Sequence, residues 1–313
     1  MTAPGSTHYL LIRAMCSLIL RRLTALMFYL GLAVMSGPLL ADVVSFVDFT
    51  SLYKNPNNRY FIELLDKAMQ ASQERYGTYK LQPLQIHITQ SRQLKELNKG
   101  TIDVFWSVAT ERRESQVLAV NFPLIKGAYG IRLLVVNMLD KDRFESVDSL
   151  AALRLIPILV GRDWPDAELL MLHGFNLDTS IEDRLKYQSL SVRGNKLYPR
   201  GLFEAMNELD EQSFSNLTIL QRHVICYPQV VKYFVAKHNR RLSDRLLYGL
   251  KRLKESGEFD RFFAAFPAHK NVLEHLVLRD SMLHRLSNPY LPASVDIDVV
   301  QEEQNQLLQL MGQ

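Results

Sequence analysis

Cysteine is scarce in this 313-residue chain, which has only Cys16 and Cys226. So few cysteines exclude the small disulfide-rich scaffolds, which depend on dense cross-linking. The remaining composition is that of an ordinary globular protein, with 47% hydrophobic and 22% charged residues. A chain of this length is expected to gain its stability from buried apolar side chains, divided between two lobes.

Acidic residues are absent from residues 1–41, which contain three arginines. The apolar run "LTALMFYLGLAVMSGPLLA" follows the arginines and ends at Ala41. A positive flank, an apolar centre and a small residue at the end are typical of a secretory signal peptide, here cleaved after Ala41. The alternative is a retained transmembrane anchor, for which the run is borderline in length. The sequence therefore predicts a soluble periplasmic protein that begins at Asp42.

A large positive charge is also lacking once that segment is removed. The full chain has a formal net charge of +4, and losing the three arginines of residues 1–41 leaves 4 − 3 = +1. This balance gives no electrostatic reason to expect a nucleic-acid partner. Cys16 leaves with the same segment, so Cys226 has no partner for an internal disulfide. We expect a monomer.

Motifs for catalysis, metals and cofactors are missing from the sequence. The histidines are scattered without the HExxH spacing, and no Gly-x-Ser-x-Gly elbow, phosphate-binding loop or dinucleotide-binding glycine pattern is present. We therefore expect no metal and no cofactor. An enzyme would need a nucleophile made from Cys226 and His223, or a carboxylate pair. The candidate carboxylates are Glu111, Glu114 and Glu204.

Strand-like and helix-like patterns alternate along the chain, which indicates an α/β protein with parallel strand pairing. The pattern starts again after Gly127. The first third of the chain is predicted to contain strands at 43–49, 84–89 and 102–106 and helices at 59–77 and 91–100.

This order of elements predicts two α/β lobes with a ligand cleft between them. The chain is expected to cross between the lobes near 127–130 and again near 218–228, which allows the lobes to hinge. The predicted organisation is lobe I at 42–126 and 228–295, lobe II at 127–227, and a loosely ordered C-terminal tail at 296–313.

The stretch "SVATERRESQVLAVNFPLIKG" at 107–127 carries a distinctive set of residues. Thr110 and Arg113 form a Thr-x-x-Arg turn after a strand, Val117 follows four residues later, and Phe122-Pro123 ends the set. In these features, and in the late helix "LKRLKESGEFDRFF", the chain resembles the polar amino-acid (family 3) group of periplasmic solute-binding proteins. The resemblance covers about residues 42–290. It implies the type II periplasmic-binding-protein fold.

In that register Arg113 corresponds to the ligand-binding arginine and Arg112 is a spacer. A guanidinium suits this role because its planar fork matches a carboxylate with two parallel hydrogen bonds. Ser107 and Thr110 are expected to add hydroxyl donors, and Trp106 an apolar or stacking wall. The alternative is that both arginines are exposed charges at a helix start.

The second lobe departs from the family pattern. Arg200 stands in "GNKLYPRGLFEAMNEL" where an acidic residue for the ligand ammonium is expected, and Asp166 is either that acid or a helix cap. Arg113 and Arg200 facing one another across the cleft would favour a ligand with two anionic ends. We expect Trp164, Tyr198 and Arg200 to face the cleft. The alternatives are that Trp164 is a core tryptophan and that Tyr198-Pro199-Arg200 is a plain loop.

The resemblance implies a binding protein that captures a small anionic or zwitterionic solute by closing its lobes. It also implies a membrane partner, either the permease of an ABC importer or a sensor kinase. The enzyme alternatives above remain open at this point, because the same fold can carry a catalytic group.

Overall fold

A computed structural model describes the chain over residues 41–48, 56–86, 88–212 and 214–313. Within these ranges Val43–Gln313 form one compact unit. The predicted signal segment lies outside the described residues except for Ala41, so its cleavage stays a prediction. No helix in the described ranges is long and apolar enough to cross a membrane.

Strands and helices alternate through the described ranges, which confirms the predicted α/β class. The strands are β1 (Asp42–Val47), β2 (Tyr79–Leu84), β3 (Phe105–Val108), β4 (Leu118–Ala119), β5 (Ile131–Asn137), β6 (Ile158–Leu159), β7 (Leu177–Asp178), β8 (Tyr198–Gly201), β9 (Leu217–Cys226), β10 (Val231–Val235) and β11 (Met282–Arg285). The helices are α1 (Pro56–Ala71), α2 (Gln73–Tyr76), α3 (Gln90–Lys99), α4 (Glu111–Glu114), α5 (Lys141–Glu145), α6 (Leu150–Leu153), α7 (Pro165–Leu172), α8 (Lys186–Arg193), α9 (Leu202–Gln212), α10 (Arg240–Glu255), α11 (Glu258–Ala265), α12 (Pro267–His275) and α13 (Ile297–Leu310).

The first lobe is built on the β1–β2 pair and a three-stranded sheet in the order β3–β10–β4. β10 is antiparallel to both of its neighbours, with Tyr233 opposite Trp106 and Phe234 opposite Ala119. The expected parallel pairing is therefore wrong for this sheet. The reason is that β10, which returns from the second lobe, completes the sheet in place of a further β-α-β unit.

The second lobe contains a four-stranded sheet in the order β11–β9–β5–β8 and a parallel β6–β7 pair. β5 follows the first crossing and is antiparallel to β8 and β9. β11 pairs in parallel with β9, with Met282 opposite His223. Residues 282–285 therefore extend the second sheet, and their predicted place in lobe I is wrong. Pairing with β11 satisfies backbone groups that would otherwise be exposed on that edge of β9.

The C-terminal segment is an ordered helix, so the prediction of a loosely ordered tail at 296–313 is wrong. Asp296 caps α13 by accepting hydrogen bonds from the backbone N–H groups of Asp298 and Val299. Val300, Leu307, Leu308 and Met311 are buried. Their spacing places them on one face of a helix, and packing of that face fixes a segment whose overall composition is polar.

Two boundaries near the cleft differ from the sequence prediction. β2 ends at Leu84, where the predicted strand begins. Helix α3 starts at Gln90, one residue before the predicted start at Ser91, because Thr89 accepts a hydrogen bond from Arg92 N and acts as the N-cap. Gln90 therefore lies in the first turn of α3, at the end of the helix that faces the cleft.

Candidate functional site

A cavity of 1310 Å³ lies between the two lobes and is lined by residues of both. This volume is above the usual range of about 300–1,000 Å³ for small-molecule pockets. Thr110 and Arg113 are not part of its wall. The other five predicted site residues line it: Trp106, Ser107, Trp164, Tyr198 and Arg200.

Thr110 has a local structural role. Its side-chain oxygen accepts a hydrogen bond from the backbone N–H of Arg113, at 3.3 Å, and so caps α4. This is the ordinary function of threonine at a helix start. Thr110 therefore fixes the turn that carries Arg113, and the expected direct contact with a ligand is not supported by its position.

The Arg113 guanidinium lies behind the cavity wall and holds two wall residues in place. Nη1 donates to Ser107 Oγ and, at 3.0 Å, to Val108 O. Nη2 donates to Gln90 Oε1 at 2.8 Å and to Asp163 O at 3.4 Å. Ser107 Oγ also donates to Gln90 Oε1 at 2.9 Å. The three side chains thus form one closed hydrogen-bonded set between β3, α3 and α4.

Arg113 is a buried cation that contacts no carboxylate within the described part of the chain. It is 3% exposed, and each of its four acceptors is a neutral oxygen. Burial lowers the pKa of Arg113 to about 10, opposed by the charges of Asp163 and Asp166. The guanidinium is still protonated at neutral pH. The cavity wall formed by Ser107 and Gln90 therefore lies next to a poorly compensated positive charge.

Arg112 points away from the cavity. Its side chain is 67% exposed, and its Nη1 lies 2.9 Å from Glu168 Oε1 on α7. An exposed pair of this kind contributes little to stability. Arg113 is therefore the buried member of the two adjacent arginines and Arg112 the exposed member. The direct ligand contact that the register implies for Arg113 is not supported by its position behind the cavity wall.

Aromatic rings form the apolar part of the wall in the first lobe. Trp106 is half-buried, with its ring centroid 6.1 Å from that of Phe61 and 6.2 Å from that of Tyr233. Tyr129 meets Phe61 edge-on at 5.9 Å. Trp106, Phe61 and Tyr129 all line the cavity. The predicted wall role of Trp106 agrees with this placement.

Arg200 is engaged by two carboxylates. Its Nε and Nη2 each lie 2.7 Å from an oxygen of Glu208, and Nη2 is 3.0 Å from Glu204 Oε1. Arg200, Glu204 and Glu208 are all buried and all line the cavity. Arg200 lines the cavity, but the pairing of Arg113 and Arg200 across the cleft around a ligand with two anionic ends is not supported, because α9 supplies Glu204 and Glu208 as partners for Arg200.

Asp166 belongs to a second buried charge pair. It accepts hydrogen bonds from Arg132 Nη2 and from Tyr227 OH, and Gln229 Nε2 lies 3.4 Å away. The N-cap residue of α7 is Trp164, which makes no side-chain cap. The helix-cap interpretation of Asp166 is therefore wrong. Its carboxylate is committed to Arg132, whose pKa the neighbouring charge raises in spite of burial.

Trp164 is a wall residue that is half exposed to the cavity. Its Nε1 donates to Asp183 Oδ2 at 3.0 Å, and its ring lies 6.5 Å from that of Tyr198 with an interplanar angle of 24°. The tryptophan therefore belongs to the cleft and the core interpretation is not supported. Tyr198 is buried in β8, so the plain-loop interpretation of Tyr198-Pro199-Arg200 is also wrong.

Several polar residues of the wall were missed by the sequence analysis, among them Gln90 and Arg162. Gln90 opens α3, and its position there became visible only with the true helix start. Arg162 lies in the loop between β6 and α7, is exposed, and has no side-chain partner among the described residues. The signal for Arg162 was its place directly after a strand, where α/β sheets bind ligands.

The residues of the enzyme alternatives are dispersed. Cys226 is 1% exposed, and burial raises its pKa to about 11. His223 lies three residues earlier in β9 and pairs with His284, with 2.9 Å between Nδ1 and Nε2. Glu114 binds Lys232 in the first lobe, whereas Glu204 binds Arg200 in the second. No group of three potential metal ligands occurs within the described ranges.

Comparison with solved structures identifies the architecture. A histidine kinase sensor domain with similarity to periplasmic binding proteins matches 73% of this chain and 96% of its own, with 20% identity and a TM-score of 0.50. An ancestral arginine-binding protein bound to arginine matches 73% and 99%, with 16% identity and a TM-score of 0.55. The chain has the type II periplasmic-binding-protein fold.

A third structure with this fold is a putative ABC-transporter binding component from Wolinella succinogenes DSM 1740, complexed with lysine. It matches 66% of this chain and 84% of its own, with 15% identity and a TM-score of 0.51. No protein-family profile matches the sequence, and a search of curated proteins finds no relative. The periplasmic-binding-protein fold predicted from the sequence is confirmed, and the ligand has to be inferred from the cavity itself.

Proposed function

We propose that this protein is an extracytoplasmic solute-binding protein without catalytic activity. It captures a small anionic or zwitterionic solute in the cavity between its lobes. The two-lobe fold, the large interlobe cavity and the dispersed positions of Cys226, His223 and the glutamates support this function over an enzyme.

The observation that carries the proposal is the environment of Arg113. A buried guanidinium that contacts only neutral acceptors attracts an anion to the nearest accessible surface. That surface is the wall at Ser107 and Gln90. Both Oγ of Ser107 and Oε1 of Gln90 face Arg113, which leaves the Gln90 NH₂ group to donate elsewhere. A ligand carboxylate placed against Gln90 would gain this donor and the charge behind it.

Arg162 supplies the second cationic group of the proposed site. It replaces Arg200 in the role that the sequence suggested, because its guanidinium is not committed to another side chain. A solute with a carboxylate at each end would engage Gln90 in the first lobe and Arg162 in the second. Such bridging favours the closed arrangement of the lobes, since only that arrangement allows both contacts.

The proposed partner is a membrane protein that recognises the protein when its lobes are closed around the solute. A permease of an ABC importer and a sensor kinase remain the two candidates, and proteins of both systems are among those with this fold. We propose a periplasmic monomer with no nucleic-acid partner and no cofactor.

The experiment is thermal-shift screening of the purified protein against L-amino acids, dicarboxylates and their amides. At about 100 times Kd, a ligand that binds only the folded state stabilises it by about 2.7 kcal/mol, or about 5–10 °C in Tm. Recovery of the stabilising solute unchanged supports binding, whereas its conversion to a product supports an enzyme. The absence of any stabilising carboxylate, with protein that is folded, contradicts the proposal.

A further inference from the structure

The Arg200 side chain occupies a cage that faces the cavity. Its guanidinium carbon lies 5.3 Å from the ring centroid of Trp164 and 5.2 Å from that of Tyr198. Aromatic faces attract cations at such distances, and guanidinium more often than ammonium. The cage thus has an aromatic side made by the residue that precedes α7 and by β8.

The other side of the cage consists of two carboxylates. Glu208 receives the parallel pair of hydrogen bonds from Nε and Nη2, both at 2.7 Å, that only a planar guanidinium can donate. Glu204 Oε1 adds a contact of 3.0 Å to Nη2. Two aromatic rings and two carboxylates around one guanidinium are the chemistry by which a protein would recognise an arginine-like solute.

The carboxylates are held in position by other groups. Tyr187 OH donates to Glu208 Oε2 at 2.6 Å, and Gly201 N donates to Glu204 Oε2 at 2.7 Å. Arg132 Nη1 lies 3.8 Å from Glu204 and offsets part of its charge. These contacts do not depend on Arg200, so the cage is expected to persist when the Arg200 side chain is removed.

We propose that Arg200 is a built-in ligand that fills a guanidinium-binding subsite of the cavity. This inference rests on the proposed solute-binding function and narrows its ligand class. Because the subsite is filled from within, the second lobe rejects solutes with a guanidinium or amine side chain. Arg200 is therefore a specificity-determining residue, and the captured solute carries its charge as carboxylate.

The test is chemical rescue with small guanidinium compounds. Arg200→Ala removes the guanidinium from between Glu204 and Glu208 and leaves Glu204 with Arg132 Nη1 at 3.8 Å. Methylguanidinium at millimolar concentration is expected to raise the Tm of Arg200→Ala and to bind it at least about tenfold more tightly than wild type. N-methylurea, which has a similar shape without the charge, is expected to do neither.

Arg113→Ala is the matched control. It also removes a buried guanidinium, but the hole is surrounded by neutral acceptors, so methylguanidinium should not stabilise it. Equal rescue of both variants, or rescue of neither, contradicts the proposal. Arg200→Ala alone could be insoluble. In that case, recovery of soluble protein with methylguanidinium but not with N-methylurea supports the cage, and failure to recover it with either compound overturns the proposal. These results do not involve the native solute, so they are independent of the test of the proposed function.

Discussion

Gln304 on α13 donates from Nε2 to the backbone carbonyls of Gly127 and Tyr227, at 2.9 Å in each case. Gly127 lies at the first crossing between the lobes and Tyr227 at the second. The Gln304 side chain is buried, so neither carbonyl can turn to water if the amide is removed. The C-terminal helix therefore joins both crossing segments through a single side chain.

Gln304→Ala should destabilise the protein. It leaves two buried carbonyls without a donor and a small cavity, for which we expect a loss of about 2–4 kcal/mol in the free energy of unfolding. Urea denaturation followed by tryptophan fluorescence measures this loss. Gln306→Ala on the exposed face of the same helix is the control, with an expected change within about 0.5 kcal/mol. Equal effects of the two changes would show that the bridge has no energetic role.

His269 makes stability depend on pH. Its ring lies 4.1 Å from that of Phe203 and 4.4 Å from that of Tyr60, centroid to centroid. Nδ1 is 2.9 Å from Phe263 O, whereas the buried Nε2 has no hydrogen-bond partner among the residues that the structure describes. Burial lowers the pKa of His269 from 6.5 to about 3. The imidazole is therefore neutral in the folded protein at pH values where the unfolded chain is protonated.

Stability should consequently fall as the pH is lowered below 6.5. Between pH 6.5 and 3 only the unfolded state takes up the proton, so His269 destabilises the folded state by about 2 kcal/mol between pH 7 and pH 5. His269→Phe should remove this part of the slope. His223 and His284, whose pKa values burial also lowers, contribute a slope of the same sign that the variant retains. Identical slopes for variant and wild type would contradict the assignment.

Cys226 should be unreactive in the folded protein. Its thiol is buried, its pKa is raised to about 11, and Sγ lies 3.7 Å from Gln304 Oε1. A thiol reagent at pH 8 should modify no cysteine of the folded chain that begins at Asp42, and one after denaturation. Rapid modification of the folded chain would instead support an enzyme that uses Cys226 as its nucleophile.

Much of the fold follows from local pattern. The alternation of strand and helix signals correctly predicts the α/β class, whereas the Thr-x-x-Arg turn implies a ligand contact for Arg113, which the structure places behind the cavity wall. The short strand β11 was missed because "MLHR" lacks the β-branched residues that indicate a strand. β11 forms because it pairs with the edge of β9 that no other described strand occupies. That edge exists only in the folded protein, so local sequence does not indicate it.

The charges of the second lobe were less predictable. Arg200, Glu204 and Glu208 are spaced by four, but this spacing brings them together only because β8 ends at Gly201 and α9 begins at once. Arg132 and Asp166 are 34 residues apart in the chain and meet only in the folded lobe. Sequence can therefore nominate the charged residues of a cleft, whereas their pairing depends on non-local contacts.

The central claim is that the positive charge of Arg113 draws a carboxylate-bearing solute to the cavity wall. The most direct test is titration calorimetry of wild type, Arg113→Ala and Arg112→Ala with the carboxylate that most stabilises wild type in the thermal screen. We predict that Arg113→Ala stays folded by circular dichroism and loses about 1–3 kcal/mol of binding free energy, or about 5- to 150-fold in affinity, because the charge acts from behind Gln90 and Ser107 and not by direct contact. Arg112→Ala should change binding by less than about 1 kcal/mol. Loss of binding in Arg112→Ala with full binding in Arg113→Ala would contradict the account.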